Sequence, residues 1–130
     1  MKRVEHRDSS TGRFAFDGLD RVLHEKARLG ILSSLVANPE GLVFSELKEL
    51  CQLTDGNLSR HTQVLEEAGL VEVWKGHRGK RPQTLLRPTE QGRARFLDYI
   101  GLLERIVSQT LEAAQAEQPL HRSNPGWSPS

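Results

Sequence analysis

The strongest constraint on this chain is the unbroken run of signals between Ser45 and Arg87. Ser45 is a helix-capping residue before a short amphipathic stretch, 46–52, whose inner face is Leu47, Leu50 and Cys51. Leu53 then leads to Thr54, a second N-cap, for a helix running through Ala68, and Gly69 stands where helices commonly stop. Leu70–Trp74 alternates apolar and polar as a half-buried strand does. Lys75–Pro82 is a glycine-rich basic loop, and Thr84–Leu86 reads as the returning strand of a hairpin. A chain that places two helices across a link this tight, and follows them at once with a hairpin, has few ways to pack.

The flanks complete a mainly α fold with one small β-hairpin. Apolar residues recur at helical spacing from Leu19 to Ala37, and Gly30 with a change of phase suggests two short helices there. Asn38-Pro39-Glu40-Gly41 is a turn, and Leu42-Val43-Phe44 a short extended piece. Thr89 caps a final helix reaching about Ala116. The expected organisation is a flexible arm over 1–16, whose Phe14 and Phe16 could pin its end to the core. A folded domain follows over 17–88, then a long helix over 89–116 and a disordered tail over 117–130, where Trp127 stands isolated.

With 130 residues and 36% hydrophobic composition, a modest core is affordable but not a large buried catalytic cavity as well. One cysteine, Cys51, excludes an intrachain disulfide framework and a multi-cysteine zinc site, and in its apolar helical setting it reads as a small core residue. No phosphate-cradling glycine motif is present, and His24, His61, His77 and His121 are scattered, with no nucleophile placed beside one. The expectation is therefore no enzyme, no cofactor and no metal. No stretch is long and apolar enough for a membrane span, and MKRVEHRDSSTGR lacks a signal peptide's apolar run, so the expected location is cytoplasmic.

On the second helix, Leu58, His61, Thr62, Leu65 and Ala68 share one side. Gly56, Arg60, Gln63 and Glu67 face away, flanked by Asn57 and Ser59. The outward set suits base edges: Arg bonds guanine bidentately, Asn and Gln match adenine, and Ser adapts to either. Gly56 allows close backbone approach, and Thr54 sits where free N–H groups can meet a phosphate. From Lys75 to Arg87 there are five Lys or Arg and no acidic residue, which suits a loop lying on the DNA backbone or in a minor groove. The formal net charge of only +1 does not oppose this. Glu40, Glu46, Glu49 and Asp55 precede the polar face and Glu104, Glu112 and Glu117 follow the hairpin, so positive charge is focused on Arg60 and 75–87.

These elements describe a winged helix-turn-helix, and the run LTDGNLSRHTQVLEEAGLVEV closely resembles the recognition segment of winged-helix regulators in the MarR/ArsR grouping, in their small stand-alone branch. The resemblance extends upstream through ARLGILSSL and GLVFSELKEL and downstream through GHRGKRPQTLLRPTEQGRARF, about 90 residues in all. It implies groove-facing roles for Asn57, Ser59, Arg60 and Gln63, beside Thr54 and Gly56. It also implies a wing carried by Arg78, Lys80 and Arg81, and the basic loop adds Lys75 and His77 to the expected DNA-contacting set. Thr62 departs from the leucine usual in the family, and Val64 from a common lysine or arginine. His61 matches a family histidine, read here as packed and hydrogen-bonded.

The final helix carries Phe96, Ile100, Leu103, Val107 and Leu111, a stripe widened by Leu97, Leu102 and Ile106 beyond what one small domain covers. With Leu19 and Val22 it is expected to pair two copies, as related families do. The resulting reading is a homodimeric DNA-binding regulator, with room for a small-molecule effector near the dimer seam but no polar constellation marking its site. The competing reading is a protein-interaction module or anti-activator that keeps the fold and no longer binds DNA.

Overall fold

The computed structural model describes residues 20–116 and Gly126. Helix α1 spans Lys26–Ala37, strand β1 Leu42–Val43, helix α2 Phe44–Cys51 and helix α3 Asp55–Glu67. Strands β2, Val71–Arg78, and β3, Arg81–Pro88, form a hairpin, and helix α4 spans Glu90–Ala116. The sheet is antiparallel in the order β1-β3-β2, so the hairpin gains a third strand through Leu42 opposite Leu86 and Val43 opposite Leu85. The expected arm, the tail apart from Gly126, Trp127 within it, and Leu19 lie outside the described residues.

Where two short helices were expected before Asn38, the described residues 20–37 form one. Asp20 accepts from the N–H groups of Val22 and Leu23 at 3.0 and 3.3 Å and closes a turn. Glu25 is then extended (φ −147°, ψ 126°) and caps α1 by accepting from Arg28 N–H at 2.9 Å. Gly30 sits inside the continuous helix, facing Cys51. The phase change in the sequence is therefore the passage from turn to helix.

The expected cap at Ser45 is also displaced. Helix α2 starts at Phe44, and the Glu46 carboxylate takes the free Val43 N–H at 3.0 Å. The face packed on the core is Phe44, Leu47 and Cys51, which leaves Leu50 roughly a quarter turn off its centre. Leu50 is 60% exposed, against the expectation of an inner position. Gln52, left-handed at φ 55°, ends α2 and swings the chain into Leu53 and Thr54.

The core collects Leu23, Ile31, Leu32, Leu35, Leu47, Leu58, Leu65, Leu70 and Leu86, all essentially solvent-free. Fully burying a leucine stabilises by about 1.5–3 kcal/mol, so these nine hold the helices and sheet together. The long helix is fastened at its start. Thr89 Oγ1 accepts from Gly92 N–H at 2.8 Å while donating to the Gly69 carbonyl at 2.7 Å, and Thr89 N–H donates to the Leu70 carbonyl at 3.1 Å. The capping threonine thus ties α4 to the end of α3. Tyr99, absent from the expected core, is 4% exposed, and its hydroxyl lies 2.7 Å from His24 Nδ1. Arg95 grips Asp20 with 2.7–3.0 Å bonds one helical turn earlier.

Candidate nucleic-acid interface

Helix α3 presents the two faces its sequence implies. Leu58, His61, Thr62 and Leu65 are buried and Ala68 half-buried, while Thr54, Gly56, Asn57, Ser59, Arg60 and Gln63 are exposed. Thr54 caps the helix by accepting from Asn57 N–H at 3.2 Å, a contact worth about 1 kcal/mol. Thr62 stays satisfied in its apolar surroundings because its hydroxyl donates to the Ser59 carbonyl at 3.1 Å. Arg60 Nη2 donates to Asn57 Oδ1 at 3.2 Å, and Gln63 Nε2 donates to Glu67 Oε2 at 3.2 Å.

The buried histidine is held by helix α1. Arg28 Nη1 is 3.3 Å from His61 Nδ1, and the Glu25 carboxylate is 3.8 Å away. Burial lowers the His61 pKa, with Arg60 and Arg28 acting in the same direction and Glu25 against it. Neutral imidazole can then accept from Arg28, in keeping with a packed, hydrogen-bonded residue. The unfolded chain carries an ordinary histidine and binds the proton more readily, so folding is favoured above about pH 6.5 and loses stability as pH falls below it. Chemical denaturation between pH 7.5 and 5.5 should show this decline, and His61→Gln should flatten it. An unchanged slope in the variant would assign the decline to other groups. Glu25, held low by the Arg28 N–H, and Asp20, held low by Arg95 against its burial, act only at more acidic pH.

The basic hairpin is more regular than its sequence suggests. Pairing continues from Val71 opposite Pro88 to Arg78 opposite Arg81, so the expected eight-residue loop contracts to the Gly79-Lys80 turn. Gly79 has φ +63°, the left-handed backbone that a two-residue hairpin turn of this kind requires at its first central position. Lys75, His77 and Arg78 therefore lie on β2, Lys80 in the turn and Arg81 on β3, all exposed.

Strand alternation divides these residues between faces. Lys75 and Thr84 join Ser59, Gln63 and Glu66 around a groove of roughly 640 Å³ between α3 and the hairpin, floored by Phe44, Val73 and Leu86. Arg78 and Arg81 line a second groove of roughly 430 Å³ beside Phe44 and Ser45 at the start of α2. Three features escaped the sequence reading. Lys48 pairs with Asp55 at 3.0 Å, offsetting an acid on the first turn of α3. Thr84 enters the groove. Trp74 is 52% exposed, with the Arg87 guanidinium 5.8 Å from its ring centroid. Period-2 alternation from Val71 and Val73 already pointed Trp74 outward, whereas the Lys48–Asp55 contact depends on how α2 meets α3.

The expected pairing stripe is partly consumed inside the monomer. Val22, Phe96, Ile100 and Leu103 pack against the chain's own core, because α4 crosses α1 there. Val107 and Leu111, at 55% and 54% exposure, stay open, as does Leu97 at 46%. Among the described residues no group of three or more His, Cys, Asp or Glu could hold a metal ion, and no helix is long and apolar enough to cross a membrane. Cys51 is a half-buried free thiol with Ser34 Oγ at 3.8 Å.

The family model described as winged helix DNA-binding domain matches residues 27–107. An uncharacterized protein of Methanocaldococcus jannaschii is 39% identical over 80 residues, which are 62% of this chain and 86% of that one. The structure of a transcriptional regulator homologue from Pyrococcus horikoshii superposes with a TM-score of 0.66 at 26% identity, covering 79% of this chain and 98% of the other. A MarR family transcriptional regulator from Silicibacter pomeroyi shares the fold, with a TM-score of 0.53 at 17% identity over 81% of this chain and 73% of its own.

Proposed function

The chain belongs to the winged helix DNA-binding domain family of transcriptional regulators, which are not enzymes, and on that premise we propose that it is a cytoplasmic homodimeric repressor of a pseudo-palindromic operator. The observation carrying this reading is the open polar face of α3 beside a cationic two-stranded ribbon. Thr54, Gly56, Asn57, Ser59, Arg60 and Gln63 enter the major groove. Lys75 and Thr84 face the backbone strand running between α3 and the hairpin, while His77, Arg78, Lys80 and Arg81 lie on the backbone or in the adjoining minor groove.

The second copy is held by the exposed apolar side chains of α4, Leu97, Val107 and Leu111, which sets two recognition helices about one DNA turn apart. Phe96, Ile100 and Leu103 support that surface from below. A small-molecule effector acting at the seam would change this separation.

The two classes of contact separate experimentally. Arg60→Ala is expected to cost about 1–3 kcal/mol of specific binding and to relax preference at one base pair. Arg78→Ala should weaken all duplexes alike and reduce the salt slope by about one unit. A binding titration against salt distinguishes them. A protein that binds no promoter duplex at low salt would be the interaction module instead.

A further inference from the structure

We infer that Asn57 does not read a base of its own but is the positioning residue for Arg60, so that the two side chains together recognise a single guanine in each half-site. This rests on the DNA-reading role proposed above for α3. Asn57 and Arg60 lie one turn apart on the exposed face, where side chains at i and i+3 are neighbours. Asn57 Oδ1 accepts from Arg60 Nη2 at 3.2 Å, and both residues are open to solvent.

Two chemical facts follow from that bond. A free arginine on a helix surface samples many rotamers, and ordering it on DNA costs up to about 2 kcal/mol of side-chain entropy. A guanidinium already held at one nitrogen has met part of that cost before DNA arrives. The bond also leaves the guanine-reading edge intact. Each Nη2 hydrogen belongs to a different two-pronged edge of the guanidinium, one shared with Nε and one with Nη1. Whichever hydrogen Asn57 accepts, the other edge remains complete for guanine O6 and N7.

The neighbouring groups favour this division of labour. Asn57 N–H is already committed to Thr54 Oγ1, which anchors the residue in the first turn of the helix. Asp55, the acid on that turn, is engaged by Lys48 and so does not compete for the guanidinium. Gln63 is likewise tied, through Glu67, on the next turn but one. An asparagine reading adenine on its own would instead need its amide N–H and carbonyl aimed together at N6 and N7.

The test is selection of bound duplexes from a random pool by the full-length protein, its Asn57→Ala, Asn57→Asp and Arg60→Ala variants. The wild-type half-site should contain a guanine whose enrichment falls roughly 5- to 140-fold in Arg60→Ala, the range for one bidentate base contact. Asn57→Ala should relax that same position and no other, with thermal unfolding unchanged. Asn57→Asp keeps an acceptor for Arg60 but cannot donate to adenine N7, so it should retain the guanine preference even where overall affinity falls.

Relaxation of a different base pair by Asn57→Ala, or an invariant adenine lost in both Asn57 variants, would overturn the positioning role. Coincidence of the Asn57→Ala and Arg60→Ala positions supports it whatever affinity Asn57→Asp retains. Failure of the wild-type protein to enrich any motif would instead refute the DNA-reading role itself.

Discussion

Replacing Val107 and Leu111 by Asp should convert the protein into a monomer that binds a full operator at least about 100-fold more weakly, while leaving its fold intact. Both side chains are more than half exposed, at 55% and 54%, so charge on them costs the isolated chain little. Pairing two copies is a different matter, because burying a carboxylate without a partner is expensive. In the proposed two-site operator the second recognition helix would bind as an intramolecular event, and linked sites of this kind commonly gain 10²–10⁴ in avidity. Sedimentation should report monomers, and affinity for an isolated half-site should stay at the wild-type value. A doubly substituted protein that remains dimeric would move the interface elsewhere on the surface.

The largest expected effect on stability lies at Gly92. A Cβ built there falls 2.0 Å from the Leu70 carbonyl oxygen and 2.9 Å from its carbon, inside any tolerable contact. Leu70 cannot yield easily, since its side chain is fully buried and its carbonyl already accepts from Thr89 N–H. Gly92→Ala must therefore push α4 away from the end of α3, breaking the Thr89 bonds to the Gly69 and Leu70 carbonyls. Overpacking of this sort costs typically 1–3 kcal/mol and sometimes more, and the upper end is expected here. For a domain of this size, 3 kcal/mol lowers the melting temperature by roughly 12–24 °C. A shift of only a few degrees would mean that the junction deforms without loss.

The same junction gives Gly92 a functional meaning. Helix α4 carries the proposed pairing surface and α3 the proposed reading face, and Thr89 joins them through hydrogen bonds at both ends of its hydroxyl. In the proposed dimer the separation of the two recognition helices would be set at Gly69, Leu70, Thr89 and Gly92. Nothing in the sequence around Gly92 distinguishes it from the exposed glycines of the hairpin, because a close approach to Leu70 exists only once α4 has folded back.

Local chemistry was enough for several elements. Thr54 and Thr89 cap their helices as expected, since an N-cap needs only a side-chain oxygen within reach of a nearby N–H. Gly69 stops α3 at φ +77°, and the buried face of α3 follows from a 3.6-residue period. Misplaced boundaries share one cause. Ser45 could have capped α2, but β1 pairing with β3 fixes Val43 as extended and starts the helix at Phe44. The hairpin loop read as eight residues because lysines, arginines and glycines are poor strand formers alone, yet cross-strand bonds carry pairing out to Arg78 and Arg81.

What the sequence determined by itself was the order of elements, the helix caps, the polar face of α3 and the concentration of positive charge between Lys75 and Arg87. Each depends on residues a few positions apart. Tertiary structure alone decided which apolar residues of α4 remain for a partner, where His61 sits and what shares the groove with Lys75. It also decided that Tyr99 is a core residue. Those outcomes depend on which surfaces meet across about 10 to 75 positions of chain, and side-chain burial is a property of the meeting, not of the residue.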